Sequence, residues 1–285
     1  FCIGYSEIDK CATQIYEKHF PTHKNYGDIT KIDAARLPDF DMFCGGFPCQ
    51  SFSIAGKRGG FEDTRGTLFF EIARILRVKR PRIVFLENVK GLLSHDEGNT
   101  FATIISTLDE LGYDLQWQVL NSKNFGVPQN RERVFIIGHL RGTSRPKVFP
   151  IGRADRQIVD SPKRKKDKLR PVMLSEHRTE LGKKTRRKIC KLEGRDSTLR
   201  GKEHKEYRPN SHQLGNCLTT GQANIEKWIL PDDVKIRRLT PTECERLQGF
   251  PDGWTEGVSD TQRYKCLGNA VTVNVIRSIV IHLTI

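Results

Sequence analysis

Zinc-ligand spacing is missing from this sequence. Its eight cysteines (positions 2, 11, 44, 49, 190, 217, 244 and 266) include no Cys-x-x-Cys pair, and the histidines do not cluster with them. Neither a structural zinc site nor a disulfide framework is indicated, and no metal is expected. Scattered thiols of this kind fit a reducing, cytosolic setting. No run of 18 apolar residues occurs, which leaves no candidate membrane span. Phe1-Cys2-Ile3-Gly4 carries no basic n-region and no signal-peptide pattern, and internal repeats are absent. An initiating Met is lacking too: the chain opens inside what reads as a strand, and the expectation is of a sequence missing its natural start.

What is present suffices for a packed core. The 285 residues are 36% hydrophobic and 29% charged, room for one large domain or two smaller ones. The net charge is +14, and the excess is local. Residues 141–210 hold 23 Lys and Arg against 9 Asp and Glu, while the remainder holds 25 of each. A solvated linker would account for such a segment. Confinement of the charge to one stretch of an otherwise balanced chain points instead to a surface for a polyanion.

Residues 1–140 alternate short apolar runs with helical spacing. Strands are expected at Cys2–Ser6, Phe40–Cys44, Arg82–Leu86, Leu115–Leu120 and Arg133–Gly138, and helices at Ile8–His19, Thr67–Val78 and Thr100–Leu111. In the second helix Leu68, Phe69, Ile72, Ile75 and Leu76 share one face, and the unbroken apolarity of Arg82–Leu86 is that of a parallel strand buried on both faces. The alternation predicts an α/β doubly wound sheet. From residue 141 the pattern breaks into the basic runs Pro162–Lys168 and Lys183–Lys188, with weak strand-like pieces at Asn216–Thr220 and Lys227–Leu230. The expected organisation is a catalytic and cofactor-binding domain over 1–140, a smaller, irregular basic domain over 141–235, and a return to the first domain over 236–285. In that last stretch Thr240 reads as an N-cap, Pro241 as the first helical residue and Gly249 as the stop. Ala270–Leu283 reads as an amphipathic helix closing on the first domain.

One stretch concentrates reactive groups. Gly45 and Gly46 release the Phe40–Cys44 strand into a loop, Pro48 stiffens the turn, and Cys49 follows. Cys44, inside the apolar run, reads as a buried structural thiol, whereas Cys49 is open between a nucleophile and a small tolerated residue. Ligands of open α/β sheets bind outside the carboxyl ends of the strands, and Glu7, Asp28, Cys49 and Glu87-Asn88 all fall at such ends in this reading. An acid after the second strand is the usual partner of ribose hydroxyls, so a nucleoside-containing cofactor is plausible; singly, Glu7 and Asp28 also fit helix caps or solvated acids. A thiol and a carboxylic acid in one cleft beside a basic domain suit chemistry on a pyrimidine. Thiolate addition at C6 of cytosine turns C5 into an enamine-like carbon that attacks an electrophilic methyl group. A carboxylic acid held protonated at N3 neutralises the charge developing on the ring. Cys49 and Glu87 have the types for these two roles, and the acid needs a pKa raised by burial.

These residues resemble the DNA (cytosine-5)-methyltransferases of bacterial restriction–modification systems along most of the chain. Gly46–Phe52 is similar to the family's nucleophile motif and Phe61–Leu68 to the segment after its mobile loop. Phe85–Val89 resembles the Glu-Asn-Val motif, Gln129–Arg133 the Gln-x-Arg-x-Arg motif, Arg238–Phe250 the helix before the final motif, and Tyr264–Val271 that final motif. The resemblance implies a Rossmann-like, S-adenosylmethionine-dependent domain with a target-recognition domain. Glu7 with Ile8 would then hold the ribose, Asp28 with Ile29 the adenine, and Pro48, Leu68, Asn269 and Val271 the rest of the cofactor pocket. It implies Cys49 as nucleophile, Glu87 as acid, and Arg131 and Arg133 around the target cytosine. That base would be flipped out of the duplex, since a thiol cannot reach C6 within the stack. The loop from Gln50 to Gly66, pivoting on Gly56, Gly59 and Gly60, would close over DNA, with Gln50, Lys57, Arg65 and Gln129 as contacts. Residues 141–210 would supply phosphate and base contacts in double-stranded DNA. The implied setting is a cytoplasmic, nucleoid-associated monomer with a possible cognate endonuclease.

Two departures stand out. The family's opening Asp-x-Phe-x-Gly-x-Gly-Gly-like strand and turn, which holds the methionine end of the cofactor, occurs nowhere here, including near the C-terminus where a circular permutation would put it. A protein truly starting at Phe1 would bind cofactor weakly, and truncation of the sequence is the preferred explanation. The family's Thr-Leu pair of the recognition domain stands as Cys217-Leu218, with Thr219 as a substitute hydroxyl. The competing readings are a truncated or split, inactive DNA-binding protein of the same fold, and an RNA cytosine-5 methyltransferase.

Overall fold

The computed structural model describes residues 1–48, 68–152 and 239–283, together with the backbone of five strands between 172 and 238. At its centre is a four-stranded sheet in the order β1-β2-β5-β3, with β1 at Met42–Gly46, β2 at Ile83–Val89, β3 at Tyr113–Asn121 and β5 at Glu132–Leu140. The two-residue β4 (Gln129–Asn130) precedes β5 and pairs outside this sheet, with β8 (Gly215–Asn216). β1 and β2 run parallel, from Met42 opposite Ile83 to Gly46 opposite Glu87, while β5 is antiparallel to both β2 and β3. The sheet is therefore mixed, and the Ile83–Val89 strand is parallel to only one of its neighbours.

Strand alternation sends consecutive residues to opposite faces, and each face is covered by helices. Val84 and Leu86 of β2 and Val134 and Ile136 of β5 pack with Phe69, Ile72, Ala73 and Leu76 of α2 (Leu68–Lys79) and with Ile104 and Leu108 of α3 (Asn99–Glu110). Phe85, Phe135 and Ile137 point the other way, onto Val148, Ile151 and the residues Val275, Ile279 and Leu283 of the last helix. That helix, Val273–Leu283, closes on the sheet as its apolar spacing requires. Asp260–Leu283, long and apolar enough as one stretch to cross a membrane, is thus broken at Ala270–Thr272 into two helices, the second lying on the core.

Local signals fixed several boundaries. α1 (Lys10–His19) starts where Asp9 accepts from the amides of Cys11 and Ala12. α4 (Pro241–Gln248) has the full capping box, Thr240 and Glu243 bonding each other's backbone, and ends at Gly249 with φ 78°. α5 (Asp260–Asn269) and α6 (Val273–Leu283) follow. The N-terminal segment is anchored from two sides. Arg74 of α2 donates to the carbonyls of Ile29 and Ile32 at 3.0 and 2.8 Å. Lys265 of α5 reaches Asp9 at 2.5 Å, and His19 stacks on Trp254 with centroids 3.7 Å apart.

Some expectations fail. Cys2–Ser6 makes a single bridge, Tyr5 to Asn25, and no strand. Gly4 has φ +151°, and a Cβ there would lie 2.4 Å from Tyr26 and 2.6 Å from the Lys24 carbonyl, so this segment is pressed onto residues 24–26 instead of extending along the sheet. Cys44 is exposed at β1, an outer strand of the described sheet, although neighbouring groups still desolvate its thiol and push its pKa up to about 11. Leu68, placed on the buried face of α2, is 40% exposed, and Ala73 takes its place in the core. In the basic segment the described backbone forms an antiparallel sheet of β6 (Val172–Arg178), β7 (Lys205–Pro209), β9 (Lys227–Leu230) and β10 (Asp233–Arg238), in the order β10-β9-β6-β7.

Candidate active site

The carboxyl ends of β1 and β2 lie side by side. β2 runs on to Val89, so Glu87 and Asn88 belong to the strand instead of following it. Parallel register sets Gly46 opposite Glu87. A Cβ at Gly46 would stand 3.4 Å from Glu87 Oε2, and a longer side chain would lie over the acid; glycine keeps that space clear. From the adjacent β5, Arg133 brings Nε to 3.0 Å from Glu87 Oε1, with both side chains more than four-fifths buried. Burial pushes the Glu87 carboxyl above its ordinary range, and the guanidiniums of Arg133 and Arg131 pull it part of the way back. The pair is thus an acid biased toward its protonated form beside a fixed cation.

Asn88, next to it, is 4% exposed and fully engaged. Its Nδ2 donates to the Phe47 carbonyl at 2.7 Å and its Oδ1 accepts from the Val89 amide at 2.8 Å. β2 is thereby tied to the chain two residues before Cys49. The sequence offered one signal for this role, a polar residue in an otherwise apolar strand, which has to find partners once buried. Cys49 itself, with Gln50, Lys57 and Arg65, lies outside the described residues, as do Cys217, Leu218 and Thr219 of the recognition segment.

The Gln129–Arg133 segment divides its side chains between interior and site. Gln129, expected to contact DNA, is completely buried and donates Nε2 to the Leu247 carbonyl at 2.7 Å, joining β4 to α4. Arg131, expected beside the target base, is 2% exposed, and its Nη2 donates to the carbonyls of Gly268 and Ala270 at 3.1 and 2.7 Å. Of the three, Arg133 makes the ion pair with Glu87, and Arg131 acts on that carboxyl through its charge. Around Arg131, Ser122 and Thr272 share a hydrogen bond of 2.8 Å, Thr272 donates to Gln248 Oε1 at 2.8 Å, and Gln248 donates to the Leu267 and Ala270 carbonyls at 2.7 and 3.3 Å. Ser122, Arg131, Arg133, Phe135, Val271 and Thr272 pack around one point here, with no room between them for a water molecule.

The residues expected around a cofactor fall into two groups. Glu7 precedes α1 and holds its own turn, with Oε1 accepting from the Ile8 and Asp9 amides at 2.8 Å each, and Ile8 is 73% exposed. Asp28 does not end a strand; it caps the short 3-10 turn Ile29–Lys31, accepting from the Thr30 amide and hydroxyl at 3.0 and 2.8 Å. Those bonds hold its carboxyl below the usual range. Ile29 is half-buried against the α2–α3 core. On the C-terminal side Asn269 is exposed at the end of α5, and Val271 is half-buried against the α6 cluster. The Asp9–Lys265 pair connects the two groups, one turn of α5 before Asn269. Pro48 and Leu68 are both exposed. Two acids with fixed carboxyl groups, one beside the exposed Ile8 and one beside the half-buried Ile29, fit the hydroxyls, amine and faces of an adenosine. The glycine-rich stretch for a methionine end has no counterpart among these residues.

Residues 1–284 match the family of C-5 cytosine-specific DNA methylases. The type II methyltransferase M1.ScrFI of Lactococcus lactis subsp. cremoris is 41% identical over 285 residues, covering 96% of this chain and 69% of the relative. M.HhaI of Haemophilus parahaemolyticus is 37% identical over 305 residues, covering 98% of this chain and 86% of the relative. Among solved structures, the Dnmt2 methyltransferase of S. pombe shares the fold with a TM-score of 0.65 at 18% identity, over 99% of this chain and 90% of that one.

Proposed function

The chain belongs to the C-5 cytosine-specific DNA methylase family, and on that premise we propose that Cys49 attacks its target base while Glu87, paired with Arg133, protonates it. The protein methylates cytosine C5 in DNA with S-adenosylmethionine as donor, as a type II restriction–modification methyltransferase. When bound, the donor supplies the electrophilic methyl group. The observation that carries the assignment is the Gly46–Glu87 register with the 3.0 Å Glu87–Arg133 pair, since it sets the carboxyl of a raised-pKa acid against the strand that leads into Pro48 and Cys49.

In this reading Glu87 donates to N3 as the Cys49 thiolate forms a bond to C6, so the ring gains the sulfur without accumulating an anion. C5 then takes the methyl group and gives up its proton to solvent, the thiolate leaves as C5=C6 re-forms, and the N3 proton returns to the Glu87 carboxylate. Arg133 orients the carboxyl and holds it in place. Asn88 fixes the backbone before the nucleophile through the Phe47 carbonyl. Glu7 and Ile8 would hold the ribose, Asp28 and Ile29 the adenine, and Pro48, Leu68, Asn269 and Val271 the remainder. Lys57 and Arg65, with the basic segment 141–210, would contact the duplex.

The type II names of the relatives support a restriction–modification setting; a cognate endonuclease, a monomeric state and action on cytoplasmic, nucleoid-associated DNA belong to the same proposal. Labelled methyl transfer to duplex DNA and to transfer RNA, with Cys49→Ala in parallel, tests the assignment. Transfer to the duplex that disappears in Cys49→Ala is expected. Transfer confined to RNA would overturn the substrate, and unchanged transfer in the variant would overturn the nucleophile.

A further inference from the structure

We infer that Arg131 is a positioning residue for the segment between α5 and α6, holding Asn269 and Val271 in place for the methyl donor, and that it ties this segment to the strand bearing Arg133. The inference rests on the reading of Asn269 and Val271 as donor contacts.

The geometry is that of a buried tie. Arg131 is 2% exposed, and one guanidinium nitrogen bonds two carbonyls that flank Asn269, those of Gly268 and Ala270. With both carbonyls turned inward, the Asn269 side chain is left on the exposed side. Ala270 O accepts a second bond from Gln248, whose own oxygen accepts from Thr272. Thr272 is bonded in turn to Ser122, and the Ser122 amide donates to the Arg131 carbonyl at 3.0 Å. The ring of bonds therefore closes on Arg131, and apart from half-buried Ala270 its residues are each 3% exposed or less. Buried polar groups joined in a closed network hold one arrangement, because each broken bond strands a desolvated partner. Arg133 lies two residues along the same backbone, at Glu87. One short segment thus fixes the acid with one arginine and the donor-side loop with the other.

Arg131→Lys keeps the charge, but its side chain is one bond too short to carry a nitrogen to the place from which Nη2 bonds both carbonyls. Thr272→Val opens the ring at its far side without touching Arg131, and Thr272→Ser keeps it closed. In the intact protein we expect both Arg131→Lys and Thr272→Val to weaken binding of S-adenosylhomocysteine about tenfold or more and to speed amide exchange across Leu267–Thr272. Single-turnover transfer at saturating donor should stay close to wild type in Thr272→Val, and Thr272→Ser should behave as wild type throughout. Arg133→Lys should do the reverse, slowing transfer with unchanged homocysteine-ligand affinity. Unaltered affinity and exchange in Arg131→Lys together with slower transfer would overturn the inference and return Arg131 to the base. If Arg131→Lys does not fold, the two Thr272 variants decide: equal exchange and affinity in Val and Ser overturns the network. Should the wild-type protein fail to bind the ligand, the donor reading of Asn269 and Val271 fails, and amide exchange alone still decides whether Arg131 anchors the segment.

Discussion

Asn88→Ala removes the side chain that joins β2 to the backbone ahead of Cys49. The donor lies 2.7 Å from the Phe47 carbonyl, both residues are buried, and Phe47 is 7% exposed, so water has little room to replace the lost bond. Leaving such a carbonyl one donor short costs about 1–3 kcal/mol. The Val89 amide, which loses its bond to Asn88 Oδ1, sits at an exposed residue and finds solvent, so it adds little. If the cost falls on the whole fold, it appears as a lower urea midpoint. If it falls on the position of the Phe47–Cys49 turn, single-turnover methyl transfer slows by about 5- to 150-fold, since each ~1.4 kcal/mol is a factor of ten. Single-turnover measurement keeps product release out of the comparison. Asn88→Asp is the sharper variant: it is nearly isosteric, keeps the acceptor for Val89, loses the donor, and sets a carboxylate against the Phe47 carbonyl. It should lose at least as much as Asn88→Ala. An Asn88→Asp protein with wild-type midpoint and wild-type transfer would refute the anchoring role.

Burial raises the Glu87 carboxyl, so the acid form persists to higher pH than for an ordinary Glu. Single-turnover transfer should accordingly fall as pH rises through that raised pKa, the limb at which Glu87 loses its proton. The limb should move further up in Arg133→Met and vanish, with transfer slow throughout, in Glu87→Gln; an unmoved limb in Glu87→Gln would assign it to another group. His139 is 1% exposed, with neither ring nitrogen hydrogen-bonded among the described residues, and burial lowers its pKa. The folded protein keeps it neutral while the unfolded chain takes up a proton below about 6.5. Its contribution is therefore complete above that pH and lost as pH falls toward the depressed folded value. His139→Leu should flatten the acid side of the stability–pH curve in urea titrations, and an unchanged curve would contradict this. Glu245 is fully buried, bonded to Arg263 at 3.1 Å and to the Gly253 and Thr255 amides at 2.7 Å each. Arg263→Met leaves that carboxylate without its cation and should cost about 3–5 kcal/mol, the amides holding it toward the lower end; an unaltered urea midpoint would show that the amides suffice.

The parts of the fold that were legible are those whose cause lies within a few residues. Thr240, Pro241 and Gly249 bound α4 because a cap, a fixed φ and a left-handed exit are properties of the residues themselves. Apolar spacing located α2, α3 and α6, and the strand reading set Gly46 and Glu87 at neighbouring strand ends, as their register has them. Pairing decided the rest. The extended look of Cys2–Ser6 did not make it a strand, since Gly4 packs against Tyr26 and no sheet strand hydrogen-bonds it. Asp28 looks the same in sequence whether it caps a turn or meets a ligand, and its own turn claims one oxygen. The resemblance of Gln129–Arg133 to one motif put Gln129 against DNA and both Arg131 and Arg133 around the target base. Only the packing of α4 and the α5–α6 segment buried the first two against backbone carbonyls and left Arg133 at Glu87. Residue type set what each side chain can do, and burial, which depends on segments more than a hundred positions away, set what it is near.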